Sequence, residues 1–388
     1  MKLAIHCGTV LTPEQEIPDC TVLIEDDRIA AVGRQIDVPS GARRIEARDR
    51  TCVPGFIDIH VHGGAGHDAM EAGVAALEAL GRMLAAHGTT SYYPTTLTAP
   101  VEATITALRP LGEYVNRRKT PPSDVQAQPL GIHMEGPFLN PKRPGVHPPD
   151  RILPPKPELF DTFYDASGGA LRLMTMATEV EGGEDVARHA FRRGVRVGLG
   201  HTDATFEEAE RAVELGVRHV VHMFNAMRPF SHRDPGVVAA AMIDDRISTE
   251  LIADGVHVAQ PAIRMLLRAK GPAGILLITD GLAAAGMPEG TYMLAGMEII
   301  VKGGEARNRA GILAGSVLTL DRAVRNMVKF TGLPLKDVVR MATLNQAQLM
   351  GLERKGRIEA GADADLVLLT AGLEVAAVCA RGVFQQFC

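Results

Sequence analysis

Between about residue 54 and residue 355 the chain alternates short β-type runs with stretches of helical spacing. Eight runs can be followed, ending near His62, Tyr93, Glu135, Ala177, His201, Met223, Ala253 and Asp280. Such alternation calls for parallel strands with helices packed against them, and eight units predict a (β/α)8 TIM-type barrel. A doubly wound open sheet uses the same alternation, so the position of the reactive residues matters more than the strand count. They fall at the carboxyl ends of the runs, the end at which a barrel gathers its side chains on one face. Local patterns support the helices. Met70, Val74, Leu77, Leu80 and Leu84 mark one apolar face, and Thr205-Phe206-Glu207-Glu208 reads as a capping box before a stretch ending at Gly216. Leu335, Val338, Val339 and Ala342 mark another helix after Pro334.

The two chain ends follow a different grammar. Thr21-Val22-Leu23-Ile24 and Arg28-Ile29-Ala30-Ala31-Val32 flank Glu25-Asp26-Asp27 as a hairpin would, and similar runs return at 364–369 and 375–378. The expected organisation is a small β-sandwich domain from residues 1–53 plus 356–388, and a catalytic barrel from 54–355. The proline-rich stretch from Pro137 to Pro157 reads as an ordered loop of the active site, with a solvated linker as the alternative.

Several function classes drop out. Forty-one basic against 46 acidic residues give a formal charge of −5, without the basic footprint of a nucleic-acid partner. The first residues do not read as a signal peptide, and no uninterrupted apolar stretch approaches the roughly 18 residues of a membrane span. A cytoplasmic protein with no membrane partner is expected. Cys7, Cys20, Cys52, Cys379 and Cys388 are odd in number and form no CxxC pair, so reduced thiols are expected. There is no Walker-A sequence, no GxSxG and no HExxH.

The residues that can carry chemistry begin with Phe56-Ile57-Asp58-Ile59-His60-Val61-His62. Alternation along a strand turns Asp58, His60 and His62 inward and leaves Ile57, Ile59 and Val61 to the helices. Glu135, His201 and His222 occupy later strand ends, and a closed barrel would bring them to a shared metal. Asp280 ends the apolar run Gly274-Ile275-Leu276-Leu277-Ile278-Thr279, where a carboxylate is costly without a function. His257 follows the seventh run and reads as a substrate contact. His133 could line the interior as packing or as a ligand. His219 is expected to face away from His222, and the remaining histidines read as surface or structural residues.

Taken together, these residues resemble the amidohydrolase superfamily, and within it the deacetylases of amino-sugar phosphates. The resemblance spans nearly the whole chain. It rests on Pro54-Gly55-Phe56-Ile57-Asp58-Ile59-His60-Val61-His62-Gly63, Gly88-Thr89-Thr90-Ser91, His133-Met134-Glu135-Gly136-Pro137, Gly200-His201-Thr202-Asp203-Ala204-Thr205, His222-Met223-Phe224-Asn225-Ala226-Met227, His232-Arg233-Asp234-Pro235-Gly236, Ala253-Asp254-Gly255-Val256-His257, Thr279-Asp280-Gly281 and Leu313-Ala314-Gly315-Ser316. The resemblance implies a metal held by Glu135, His201 and His222, with Asp280 transferring protons. It also implies a sugar-phosphate pocket. Asn225, Ala226 and Arg233 would hold the phosphate, while Val146, His147, His257, Leu313, Ala314 and Gly315 would contact the sugar or its acetamide. In this family the arginine reaches in from a neighbouring subunit, which implies a homodimer.

The implied reaction is metal-dependent hydrolysis of the acetamide of N-acetyl-D-glucosamine 6-phosphate. The galactosamine epimer, an N-acyl-D-amino acid, or a non-catalytic sugar-phosphate sensor are the alternatives. A cyclic amidase would carry a bridging lysine on the fourth strand, and 171–177 contains none. With His60 and His62 intact, the candidate ligands exceed the three plus water of a mononuclear zinc site, so a centre of one or two divalent metals is expected, Glu135 bridging if there are two. Histidine and carboxylate ligands suit zinc, with iron, manganese or cobalt as alternatives.

Overall fold

Phe56–Val61 is buried at every position, one face meeting the barrel interior and the other the surrounding helices. The computed structural model describes residues 2–118, 120–294 and 297–387; Cys388 lies outside them. Seven more strands follow in chain order: Thr89–Thr96, Ile132–Glu135, Leu171–Met176, Arg196–Leu199, His219–Val220, Ser248–Ile252 and Ile275–Ile278. Each pairs in parallel with the next. The order never reverses, which excludes the doubly wound alternative. The eighth strand returns to the first, where Asp280 N donates to His60 O at 2.9 Å and Val61 bridges Gly281 in parallel. The result is a nearly closed (β/α)8 barrel.

Helices Val74–Ala86, Val101–Arg117, Pro157–Ala166, Gly183–Arg192, Phe206–Leu215, Gly236–Ile243, Gln260–Lys270 and Leu320–Thr331 cover the strands. The capping box at Thr205 forms, Glu208 N donating to Thr205 Oγ1 at 3.2 Å and Thr205 N to the Glu208 carboxylate at 2.8 Å. The first helix departs from its expected face. Leu77, Leu80 and Leu84 are buried, but Val74 is 58% exposed and Met70 belongs to a preceding turn at Ala69–Glu71, because the helix starts only at Val74 and its first turn lies beyond the barrel wall. Two strand ends also shift. The second runs on to Thr96, and the sixth stops at Val220, after which the backbone leaves the ladder and reaches a positive φ of 28° at His222.

Both chain ends meet in one seven-stranded sheet, forming a small β-sandwich beside the barrel. Leu366–Leu369 pairs antiparallel with Arg43–Pro54, joining the carboxyl end to the amino end. This unit has its own core, which includes Leu3, Ile5, Val22, Ile24 and Leu368. Cys7, Cys20, Cys52 and Cys379 are free and buried within it. Lys355 anchors the crossover, its buried ammonium 2.6 Å from Asp365 and 3.1 Å from Asp363.

Two segments build the barrel mouth. The proline-rich stretch is an ordered loop, with Leu153 N donating to Pro137 O at 3.0 Å and Asn140 N to His201 O at 2.9 Å. A three-stranded antiparallel sheet, Gly290–Leu294, Met297–Lys302 and Glu305–Asn308, is inserted after the eighth strand, a feature the alternation did not foreshadow. Among the described residues no helix is long and apolar enough to cross a membrane.

The eighth helix is tied to the first through Asp321, which lies 3.2 Å from His87 Nδ1 and 2.8 Å from Arg325. Burial pushes the Asp321 carboxyl up, but His87 and Arg325 outweigh it and hold it at about 2. A folded value below the ordinary 3.8 contributes stability that is complete above that value and lost as the pH falls through about 2. Asp321→Asn is therefore expected to cost about 2 kcal/mol at neutral pH, with the gap to wild type narrowing in acid. Denaturant melts at both pH values test this, and an equal deficit at each would show that ionisation of Asp321 is not the source.

Candidate metal centre and active-site pocket

His60, on the first strand, and His62, one residue past its end, enter the barrel on the same side, as alternation requires, while Ile57 and Ile59 join the helix-facing core. Asp58 lies one step deeper. Its carboxylate accepts from Thr279 Oγ1 at 2.6 Å and from His60 N at 3.2 Å, fastening the first strand to the eighth just below Asp280. Burial pushes Asp58 up to about 7 against these hydrogen bonds.

Glu135, at the end of the third strand, is the hub. Its Oε1 lies 3.0 Å from His222 Nε2, 3.2 Å from His201 Nε2 and 3.5 Å from His60 Nε2. Its Oε2 lies 3.3 Å from His62 Nε2 and 3.2 Å from His147 Nε2. Asp280 Oδ1 adds contacts of 3.1 Å to His62 and 3.6 Å to His60. His201, His222 and Asp280 all hold positive φ, of 47°, 28° and 50°. Left-handed backbone at non-glycine residues costs on the order of 1 kcal/mol or more each and clusters where function needs a particular side-chain direction.

The tautomers decide what this cluster can hold. His62 Nδ1 lies 3.1 Å from Thr95 O, and His201 Nδ1 lies 3.0 Å from Arg143 O. A carbonyl can only accept, so both rings carry a proton on Nδ1 and point Nε2 at the centre, where it offers a lone pair once any proton there is displaced. His60 does the same through Glu250, whose Oε2 is 3.1 Å from Nδ1. Nε2 atoms of His60 and His62 then stand 3.3 Å apart, and those of His201 and His222 stand 3.2 Å apart. Lone pairs facing lone pairs and carboxylates repel unless a cation or protons lie between them. The donor set fits divalent metal: donor atoms of His60, His62 and Asp280 form one group that could hold an ion, and those of Glu135, His147 and His201 another.

His147 is not equivalent to these rings. Its Nδ1 accepts from Thr98 N at 3.3 Å, so its Nε2 carries the proton and donates to Glu135. His133 is a packing residue, with Nδ1 3.0 Å from Ile59 O and Nε2 2.7 Å from Thr175 Oγ1, both nitrogens engaged. His219 corrects the expectation that it faces away. It lies buried beneath the site with Nε2 3.5 Å from Glu250 Oε1, because the sixth strand ends at Val220 and strict alternation does not reach His222.

Without a metal, the carboxylates draw protons to part of this cluster. Burial disfavours charge on His60 and His62, yet Glu135 with Glu250 holds His60 well above its ordinary value, and Asp280 with Glu135 holds His62 at about 9. Burial raises Asp280, but His62 and His60 bring it down to about 2. Burial and the neighbouring His147 push His201 down to about 4.

Above the cluster opens a cavity of about 310 Å³. Val146, His147, Asn225, Ala226, His257, Leu313 and Gly315 line it with His62, Glu135, His201, His222 and Asp280; Ala314 is buried beside it. His257 is held by Asp254, Nδ1 to Oδ2 at 2.6 Å. Arg233 stands apart, exposed and outside the lining of its own chain's cavity. Several contributors were not singled out from the sequence, among them Leu97, Gly145, Gly311 and Ile312. Leu294 and Arg307 come from the inserted sheet, whose hairpin was signalled by the Gly303-Gly304 turn after Ile299-Ile300-Val301 but was not read. Glu250 could have been found, since a carboxylate inside Ser248-Thr249-Glu250-Leu251-Ile252 invites the same argument as Asp280.

Residues 51–384 match the amidohydrolase family. An N-acetylglucosamine-6-phosphate deacetylase of Lysinibacillus sphaericus is 38% identical over 369 residues, 95% of this chain and 94% of that one. An N-acetylgalactosamine-6-phosphate deacetylase of Escherichia coli O157:H7 is 37% identical over the full length of both. Among solved structures, N-acetyl-D-glucosamine-6-phosphate deacetylase of Mycobacterium smegmatis, an aspartate-to-alanine mutant in complex with N-acetyl-D-glucosamine-6-phosphate, has a TM-score of 0.92 at 34% identity, with 99% of each chain covered.

The carboxylates around His60 and His62 favour protons on these rings where a metal would otherwise lie. Zinc uptake by metal-free protein is therefore expected to release protons, with affinity falling as the pH drops below the value of about 9 at His62. Indicator dye in weakly buffered solution reads the release directly. Proton-neutral binding would show that these rings are already deprotonated in the metal-free protein.

Proposed function

Because this chain belongs to the amidohydrolase family, we infer that it is a hydrolase acting in amino-sugar metabolism, converting N-acetyl-D-glucosamine 6-phosphate and water to D-glucosamine 6-phosphate and acetate. The observation that carries this reading is Asp280, an ionised carboxylate on the floor of a sugar-sized pocket, next to a hub of converging imidazole lone pairs. Similarity to deacetylases over nearly the whole chain supports the substrate.

The family is metal-dependent, and we assign Glu135, His201 and His222 to one metal, His60 and His62 to a second, with Glu135 shared between them. Zinc is the metal we favour over iron, manganese or cobalt. When bound, a divalent metal supplies Lewis acidity, lowering the pKa of water from about 15.7 to about 7 and drawing charge from the amide carbonyl. Asp280 takes the proton of the attacking water and then delivers it to the nitrogen of the departing amine, so one carboxylate serves as base and then acid. It enters the reaction already ionised and so is free to accept that proton. His257, steadied by Asp254, is assigned to the acetamide. Val146, His147 and the Leu313-Ala314-Gly315 segment are assigned to the sugar, and Asn225 with Ala226 to the phosphate.

Arg233 completes the phosphate site from a second subunit in a homodimer. Two facts support this crossing. Arg233 is exposed and away from its own cavity, and Phe230, beside it on the same loop, is a large apolar side chain that is 59% exposed. A planar guanidinium that donates paired hydrogen bonds suits a phosphate. A cytoplasmic setting follows from the substrate, a charged sugar phosphate that does not cross membranes unaided. The barrel at 54–355 carries all of these groups, with the small β unit of 1–53 and 356–388 as its support.

Primary-amine release from N-acetyl-D-glucosamine 6-phosphate should exceed release from the galactosamine epimer and from the unphosphorylated sugar. Asp280→Asn should lower kcat by about a thousandfold with metal content unchanged. Full activity in that variant would remove Asp280 from proton transfer. Arg233→Ala should raise KM for the phosphorylated sugar at least about tenfold with the dimer intact, and an unchanged KM would remove Arg233 from the phosphate site.

A further inference from the structure

Glu250 lies at the middle of the seventh strand, where Thr249, Leu251 and Ile252 around it are as buried as any residues in the core, and it is itself wholly buried. A carboxyl group in that layer needs partners. Its Oε2 has two: His60 Nδ1 at 3.1 Å and the backbone N–H of His222 at 3.2 Å. Its Oε1 makes no hydrogen bond, and the nearest group is His219 Nε2 at 3.5 Å. Among the described residues, no lysine or arginine pairs with it. The group is held by the site above it and by little else.

We propose that Glu250 is a positioning residue that builds the His60–His62 half of the centre, fixing His60 as the Nδ1–H tautomer and aiming its Nε2 lone pair at the cluster. The proposal rests on the metal-hydrolase reading above. Without an acceptor on Nδ1, His60 would be free to rotate or change tautomer, and among the described residues Glu250 is the hydrogen-bond partner that nitrogen has. A carboxylate behind a histidine also raises the basicity of the ring and adds a negative charge that favours a second cation close by. The second hydrogen bond extends the effect to the other half. The His222 N–H belongs to a backbone with φ of 28°, and Glu250 holds that turn in the direction that brings Nε2 within 3.0 Å of Glu135. One side chain thus reaches behind a histidine of each group.

The test is metal stoichiometry and affinity, measured on full-length wild type, Glu250→Gln, Glu250→Leu and His60→Gln after equilibration with buffered zinc. Wild type should hold about two zinc ions per subunit and His60→Gln about one. Glu250→Leu should fall to the count of His60→Gln. Glu250→Gln keeps an oxygen that can accept from both His60 and His222 but loses the charge, so it should retain the second zinc with affinity weakened about 10–100-fold. If the leucine variant does not fold, the glutamine variant carries the comparison alone. Wild-type affinity in Glu250→Gln together with a wild-type count in any folded Glu250→Leu would overturn the proposal. So would a single zinc in wild type that His60→Gln retains. Wild-type amine release stands apart from these counts: its absence would sink the substrate reading while leaving a zinc deficit in the Glu250 variants meaningful.

Discussion

Five imidazoles approach one carboxylate in this protein, with His60, His62, His147, His201 and His222 all placing Nε2 within 3.5 Å of Glu135. Burying that carboxylate in the barrel is costly unless its charge is matched, and burying so many ring nitrogens is costly unless each is fixed by a partner. Much of the surrounding architecture meets those two demands. Thr95 O, Arg143 O and Glu250 each take an Nδ1 proton, and each comes from a different part of the chain.

The barrel is what makes such convergence affordable. Its strands hold the deeper residues in register, and Asp58 locks the first strand to the eighth through Thr279, so Asp280 and His60 share one rigid seam. Around the cluster, strain sits at the strand ends, where His201, His222 and Asp280 leave the ladder with positive φ. The mouth above is made from less regular pieces, the proline-rich loop and the inserted sheet, and the loop is joined to the core below through Phe138 and to His201 through Arg143 O.

Legibility in the sequence followed the physics of periodicity. Asp58 and His60 could be turned inward because they lie within one regular strand, where successive side chains alternate, and His62 follows one residue past its end with the alternation still in force. The same logic failed for His219, because the ladder ends before His222 and alternation ends with it. Val74 failed for a related reason: helical spacing identifies a face but not where the helix begins beyond the wall it covers. Glu250 carried a signal, a charge within an apolar strand, yet its partners lie 190 and 28 residues away, and no local pattern names them.

What the sequence by itself determined was the alternation that makes a barrel, the small sheet formed by both ends, and the residue types from which a metal hydrolase is built. Those follow from local spacing and from the cost of placing charge among apolar neighbours. Only the tertiary structure decided which rings offer a lone pair and which donate. That choice depends on the acceptor behind each Nδ1, and those acceptors are backbone and side-chain oxygens brought into place by closure of the barrel. His147, His133 and His60 are the same residue type, and the partner each meets across the fold makes one a donor to Glu135, one a packing group and one a candidate ligand.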